Sequence, residues 1–434
     1  MNSKKKIGII GLGYVGLPLY LLISKKYETF GFDLNEEKID LLKKNKSYIS
    51  DISNNELKRL KKQNILSMDK IKNISKCDYI IFCLPTPLKN NAPDLTFIIS
   101  AFNRMFKHLK KNQTIILEST VFTGATSEIF VKKLNKKFKI GRNFYLGYSP
   151  ERIDPGKDAI NQKLEYKNIT KLVSGYSEKC KTKIIDLYKN IFRNIYSCKS
   201  IEIAETAKIF ENIFRAVNIA VVNEMKMITH KLKLNIHDVV DAAASKPFGF
   251  RKFVPGPGVG GHCIPVDPYY MIQRAADVGV PAELISAARA VNRTMPLHAA
   301  NVIHEIMYKA GVPSGQGKIL FLGWAYKPEV GDPRESPAEH LHEMLKSKDI
   351  SVSVWDPHLE ASSYPSGVDI IEDIYSTNEF DLVVLVTAHK ACLEVNWERL
   401  GQNMRRKIVY DGRRVLNLES LSKNGWQVHA IGRP

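Results

Sequence analysis

Three glycines, Gly11, Gly13 and Gly16, stand between an apolar strand and an apolar helix, and few folds tolerate that order. Residues 6–10 (KIGII) read as a short buried strand, and the apolar stretch 17–23 (LPLYLLI) as the helix that follows the turn. Residues 30–33 (FGFD) read as a second strand ending in an acid. In this setting the first glycine permits a tight turn. The second lets the backbone approach a pyrophosphate, and the third lets helix and strand pack closely. The helix N-terminus then favours the anion. Asp33 stands seventeen residues beyond Gly16, placed to accept hydrogen bonds from ribose hydroxyls and to repel a 2′-phosphate, which selects NAD over NADP. Tyr14 and Val15 complete the cofactor turn. A glycine turn without a ligand, and FAD in place of NAD, are the alternatives that the motif leaves open.

The rest of the chain repeats the alternation. Residues 78–84 and 114–118 are further apolar strands separated by helix-compatible sequence. Residues 202–245 carry no strand signal, and Ala, Ile, Val and Met recur there at helical spacing, so one long helix is expected from about Glu202 to Lys233, then a second from about Asn235. A Gly/Pro loop at 255–261 interrupts it, helix-compatible sequence resumes to about Ala310, and residues 312–317 read as a linker. Strands follow at 318–323, 352–356, 381–387 and 407–411. The predicted fold class is α/β: two Rossmann-like, doubly wound parallel-sheet domains joined by a central helical spine. The boundaries fall at 1–200 for a dinucleotide-binding domain, 201–310 for a helical dimerisation domain and 315–434 for a second α/β domain. The spine's apolar residues Ile209, Ile213, Val217, Ala220 and Val221 exceed what one small face buries, so a homodimer or higher homo-oligomer is expected.

Composition excludes several classes. No apolar run is long enough to span a bilayer, the short basic N-terminus leads into a strand, and a cytoplasmic enzyme without a membrane partner is expected. The six cysteines (Cys77, Cys83, Cys180, Cys198, Cys263, Cys392) form no C-x-x-C pair, and no His cluster has zinc-ligand spacing, so neither disulfides nor a metal are expected. The formal charge is +19; residues 251–434 balance 20 Lys and Arg against 21 Asp and Glu, so the surplus lies in the first 250. Without an Arg/aromatic stripe this reads as a lysine-rich surface with some attraction for anionic ligands, not a nucleic-acid partner.

The stretch 260–268 (GGHCIPVDP) is the most informative outside the glycine turn. Glycines before Cys263 allow backbone and substrate to approach, Pro265 suits the first turn of a helix beginning here, and a cysteine at a helix N-terminus has a stabilised thiolate. Asp267, four residues on, then shares its face. A buried inert cysteine is the ordinary alternative.

With these stretches in view, the chain resembles the UDP-glucose/GDP-mannose dehydrogenase family along nearly its whole length. The matching segments, in order, are 11–16, 85–87 (PTP), 118–121 (ESTV), 148–156 (YSPERIDPG), 204–224, 256–270 (GPGVGGHCIPVDPYY), 325–338 (AYKPEVGDPRESPA) and 411–413 (DGR). The resemblance implies NAD-dependent, four-electron oxidation of a UDP-sugar at C6, serving surface polysaccharide synthesis. A hydride leaves, Cys263 adds to the aldehyde, a second hydride leaves to give a thioester, and water hydrolyses it. It implies that Lys208 and Asn212 stabilise the alkoxide or oxyanion, that Thr120 and Asp267 position a relay water, and that Glu151 is the base for hydrolysis. Pro85, Thr86 and Thr120 join the cofactor site. Glu151, Arg152, Lys208, Asn212, Arg215, Gly260, Lys327 and Arg413 line the substrate. Arg251, just before the Gly/Pro loop, could reach a substrate phosphate, and Arg334 could pair with a local carboxylate.

Val266 stands where the glucose-oxidising branch carries Lys, and YSPERIDPG also departs from that branch. Both resemble the branch acting on UDP-N-acetylhexosamines. The implied substrate is UDP-N-acetyl-D-glucosamine first, then the mannosamine or galactosamine epimers, with UDP-glucose as a further alternative. A two-electron dehydrogenase would need no nucleophilic cysteine, and a non-enzymatic nucleotide-sugar-binding protein would reduce no NAD.

Overall fold

The computed structural model describes residues 5–49, 52–152, 166–261, 264–313, 315–376 and 379–433. The chain divides into two compact units, Met1–Glu211 with Tyr269–Pro281, and Asn212–Pro268 with Ala282–Pro434.

The first unit is built on strands β1 (Lys6–Ile10), β2 (Glu28–Asp33), β3 (Ile65–Ser67), β4 (Tyr79–Phe82), β7 (Thr114–Leu117), β8 (Tyr145–Tyr148), β9 (Lys171–Gly175) and β10 (Ile195–Ser197), with a small hairpin of β5 (Leu88–Lys89) and β6 (Ala92–Pro93). Their order is β10-β9-β8-β7-β4-β1-β2-β3. All pairs are parallel except β8 with β9, so the last two strands run against the other six. The central strands are apolar beyond Lys6 and Thr114, which begin β1 and β7, because both faces are covered. Side chains alternate across the sheet: Ile80, Phe82, Ile115 and Leu117 enter one core, and Ile81 and Ile116 the other. Helices such as Gly16–Ser24, Thr96–Phe106 and Ala125–Leu134 cover the two faces. Strand order reverses between β1 and β4, and a crevice for a ligand opens at the carboxyl ends of strands at such a switch. Strands β3, β8, β9 and β10 were not legible in the pattern, being short or rich in polar residues.

The expected spine is a 31-residue helix, Ile201–Lys231, followed by Ile236–Ala244, whose N-cap Asn235 accepts the N–H of His237 at 3.1 Å. Its apolar residues sort differently from the expectation. Ile209, Ile213 and Ala220 are buried within the chain, whereas Phe210, Phe214, Val221, Met225 and Ile228 are exposed. The free stripe therefore shares only Val221 with the expected row, because at helical period two apolar rows coexist and packing decides which is covered.

The second unit also contains Glu283–Lys309 and a six-stranded, all-parallel sheet. Its strands are β11 (Lys318–Leu322), β12 (Ser351–Trp355), β13 (Asp369–Ile370), β14 (Leu382–Leu385), β15 (Ile408–Asp411) and β16 (Gln427–Ala430), in the order β13-β12-β11-β14-β15-β16. Two apolar cores flank it, one around Phe321 and Trp324, the other around Leu320 and Leu385. Among the described residues, no helix is long and apolar enough to cross a membrane.

Candidate active site

In the first unit the glycine turn has the geometry that a dinucleotide requires. Gly11 is left-handed (φ +90), donates its N–H to Phe32 O at 2.8 Å, and a Cβ on it would lie 2.4 Å from Cys83 O. A Cβ on Gly16 would lie 1.8 Å from Gly11 O, so only glycine lets the helix start there. A Cβ on Gly13 would meet nothing within 4 Å, which leaves that backbone open to a ligand. No side chain caps the helix Gly16–Ser24 at Val15, and the positive end of a helix so placed favours an anion. Tyr14 and Val15 are half-buried against the adjacent core. Half-buried Asp33 accepts Leu12 N at 2.7 Å and Asn35 N at 2.8 Å, which aims the carboxylate along the turn with lone pairs remaining for a ribose.

Two loops beyond β4 and β7 are laced together. Ser119 Oγ bridges the N–H and C=O of Leu84 (2.9 and 2.7 Å), and Thr86 Oγ1 donates to the carbonyl of Thr120 at 2.8 Å. Tyr270 OH donates to the Thr86 carbonyl. Pro85 is exposed, Thr86 buried and Thr120 half-buried, so the predicted cofactor residues Pro85, Thr86 and Thr120 form one ledge beside the switch point.

Glu151 follows β8 and is half-buried; its N–H donates to Glu118 O at 3.4 Å, and its Oε1 accepts Arg152 N at 2.6 Å. The Arg152 guanidinium is spent on protein: it pairs with Glu211 (2.6 Å) and donates to Thr170 O at 2.9 Å. It thus ties the Glu151 loop to the long helix. Lys208 lies on that helix between Glu205 and Glu211 and is buried. Glu205, which the sequence reading missed, accepts Gly124 N (2.6 Å), Thr126 N (2.9 Å) and Thr126 Oγ1 (2.6 Å). It caps the helix Ala125–Leu134, whose N-cap Gly124 has no side chain to do so. Burial raises the Glu205 carboxyl to about 7 against the opposing pull of those hydrogen bonds.

In the second unit, Asn212 Nδ2 donates to Asp267 Oδ2 at 2.5 Å, and both residues are buried. Asp267 opens the helix Asp267–Asp277, where a carboxylate suits the positive helix end. The helix does not begin at Pro265: residues 264–266 form a turn, and Pro268 takes the first-turn position. His262 and Cys263 lie outside the described residues, as does part of the YSPERIDPG segment. Lys208 and Asn212 do stand four apart on one helix, as the spacing predicts. Arg215, on the same helix, is half-buried.

The glycines of the Gly/Pro loop answer to packing. A Cβ on Gly260 would lie 2.7 Å from Pro337 Cδ and 2.8 Å from Glu335 O, and one on left-handed Gly261 2.7 Å from the Tyr326 ring. The close approach is therefore to the segment around Lys327, a reason that the spacing alone did not supply. Lys327 is half-buried. Arg413 donates Nε to Val386 O at 2.6 Å, its Nη1 lies beside Gly256, and burial pushes its guanidinium down to about 10. A basic group so desolvated favours an anionic neighbour. Arg334 forms a two-pronged pair with Asp332 (2.9 and 2.6 Å), the local carboxylate foreseen for it, and Arg251 is exposed beside Phe253.

The second sheet repeats the first turn with its ligand position filled. Left-handed Gly323 donates to Trp355 O at 2.8 Å, as Gly11 does to Phe32. Asp356, the counterpart of Asp33, accepts Trp324 N (2.6 Å) and Ala325 N (2.9 Å) and faces His389 Nε2 at 3.0 Å. His389 Nδ1 accepts Glu329 N at 3.0 Å, which fixes the tautomer with the proton on Nε2. A buried imidazole thus sits where the first unit leaves its acid half exposed. The acid at the end of β12 was a readable signal for this; His389 had none. The described cysteines, Cys77, Cys83, Cys180, Cys198 and Cys392, are free and buried, and burial lifts the thiols of Cys77 and Cys392 to about 12.

The chain matches three consecutive models of the UDP-glucose/GDP-mannose dehydrogenase family: the NAD binding domain over residues 5–192, the central domain over 202–294 and the UDP binding domain over 320–418. It is 35% identical to Protein CapL of Staphylococcus aureus, covering 96% of this chain and 98% of that one. It is 32% identical to a UDP-N-acetyl-D-glucosamine 6-dehydrogenase of Salmonella typhi over 95% and 97% of the two chains. Among solved structures, a UDP-D-ManNAc dehydrogenase from Pyrococcus horikoshii superposes with a TM-score of 0.87 at 30% identity, over 99% of both chains.

Proposed function

Because the chain belongs to the UDP-glucose/GDP-mannose dehydrogenase family, and is thereby an NAD-dependent nucleotide-sugar dehydrogenase, we propose that it oxidises the C6 alcohol of a UDP-N-acetylhexosamine to the carboxylate. The observation that carries the catalytic reading is the buried Asn212–Asp267 pair, with Lys208 buried one turn away on the same helix. The Asp267 carboxylate fixes the Asn212 amide, and side chains of the types of Lys208 and Asn212 offer donors to an oxygen that gains negative charge. Lys208 and Asn212 stabilise the alkoxide, and Asp267 fixes the Asn212 amide. Cys263 adds to the aldehyde, Glu151 serves as base for hydrolysis, and Thr120 and Asp267 hold the relay water. NAD, when bound, takes up the hydrides; Gly11, Gly13, Gly16 and Asp33 hold its pyrophosphate and ribose. Lys327 and Arg413 take the UDP phosphates, the lysine as a point charge and the arginine as a fork.

UDP-N-acetyl-D-glucosamine is the first candidate, from Val266 and the YSPERIDPG pattern and in line with the Salmonella relative. The Pyrococcus structure favours the mannosamine epimer as the second reading. Purified protein given NAD and a panel of UDP-sugars, read by NADH and product mass, decides between them. Equal or better turnover of UDP-glucose would remove the acetamido requirement. We also propose a homodimer closed by the exposed stripe Phe210, Phe214, Val221, Met225 and Ile228, and a cytoplasmic location for surface polysaccharide precursor synthesis.

A further inference from the structure

A buried ion pair in the first unit joins the backbones next to two of the proposed catalytic residues. Glu118 directly follows β7, two residues before Thr120, and is fully buried. Its carboxylate accepts Lys171 Nζ at 2.5 Å and the Tyr188 hydroxyl. Lys171, the first residue of β9, is 4% exposed and also donates to the carbonyl of Pro150 at 3.1 Å, the residue before Glu151. Its ammonium lies over the rings of Tyr188 (5.4 Å) and Phe192 (5.3 Å). The topology explains the meeting. β9 runs antiparallel to β8 with Tyr148 opposite Ser174, so Lys171, three residues earlier in β9, comes level with the loop that continues β8. Burial pushes the Glu118 carboxyl above its ordinary range, Lys171 opposes that shift and nearby Glu151 adds to it.

Paired buried charges are an inefficient way to stabilise a core, since well-packed apolar residues of similar volume do as well. What this pair supplies is geometry: one ammonium pins the residue before Glu151 to the residue before Ser119 and Thr120. We propose that Lys171 is a positioning residue for the hydrolytic half of the reaction, holding the Glu151 and Thr120 loops in register around the attacking water. This rests on the reading of Glu151 and Cys263 given above. In that step the water oxygen bonds to the C6 acyl carbon and its proton passes to the Glu151 carboxylate. The C6–S bond breaks and the Cys263 sulfur leaves as thiolate. No electrons are exchanged, the oxidation having been completed by the two hydride transfers. Lys171 touches none of these atoms.

The test is rapid-mixing kinetics with NAD and the preferred UDP-sugar. It compares wild type with Lys171→Met and with the double variant Glu118→Gln/Lys171→Met, which removes both charges and leaves no unpaired ion. NAD affinity and the first-turnover burst of two NADH per site are expected to persist. Steady-state kcat is expected to fall roughly 10- to 100-fold, since misplacement by about 1 Å costs that order. Intact-mass spectrometry of quenched enzyme is expected to show the acyl adduct accumulating on Cys263. Tyr188→Phe, which keeps the ion pair, is expected to give a smaller fall of the same kind. Unchanged kcat in the double variant, or burst and kcat falling in proportion, overturns the proposal and leaves the catalytic reading standing. Absence of any two-NADH burst in wild type sinks that reading, and the proposal with it.

Discussion

Glu205→Ala removes a carboxylate on which three donors converge. The Gly124 and Thr126 amides and the Thr126 hydroxyl, at 2.6, 2.9 and 2.6 Å, lose their acceptor in a place where Glu205 itself has no exposure. A buried donor left unmade costs roughly 1–3 kcal/mol, so the first unit is expected to lose at least about 3 kcal/mol, and more if no water enters. Urea unfolding at fixed pH measures the loss, and hydrogen exchange at the Gly124 and Thr126 amides places it. Because Lys208 is the next turn of the same helix, kcat is expected to fall with it. The pH dependence has a definite sign. The carboxyl stands at about 7 in the fold and near 4.5 when unfolded, so the folded state holds its proton more tightly. The contribution of Glu205 is therefore largest below about pH 4.5 and is eroded as pH rises towards about 7, after which it is constant. Glu205→Gln, which does not titrate, should flatten that part of the stability–pH curve. A loss under about 1 kcal/mol in Glu205→Ala, with unchanged exchange at the two amides, would refute the reasoning, since two orphaned amides alone exceed it.

Asp33→Ala is expected to weaken NAD binding roughly tenfold or more, because each ribose hydrogen bond to a charged acceptor is worth about 1.5–3 kcal/mol; an unchanged Kd by calorimetry would remove Asp33 from the site. Cys263→Ser is expected to bind NAD and UDP-sugar normally while carboxylate product falls by several orders of magnitude, since a serine hydroxyl is a far weaker nucleophile than a thiolate; full turnover by NADH release would end the covalent reading. Phe214→Asp with Val221→Asp is expected to yield a monomer by light scattering, because both side chains are exposed on the long helix (43% and 56%); a dimer surviving both changes would place the interface elsewhere.

The local parts of this protein were legible in its sequence. The turn at Gly11, Gly13 and Gly16 is dictated by sterics over six residues, and the place of Asp33 by the length of one strand–helix–strand unit, so pattern alone anticipated the turn and the acid beside it. The 31-residue helix and the Lys208–Asn212 spacing follow from helical period. Period could not say which apolar row is covered: of the residues named from sequence, Ile209, Ile213 and Ala220 proved buried and Val221 exposed. Nor could it find partners that are remote in the chain. Lys171 and Glu118 are 53 residues apart, and neither spacing nor composition distinguishes Lys171 from the many lysines around it. Asp356 carried a signal, but its partner His389 arrives from the end of another strand. Residue types and short-range spacing determined the turns, the helices and the chemistry on offer. Strand order and the reversal at β9 decided which charges meet, because a buried ion pair forms only where the topology brings its two ends together.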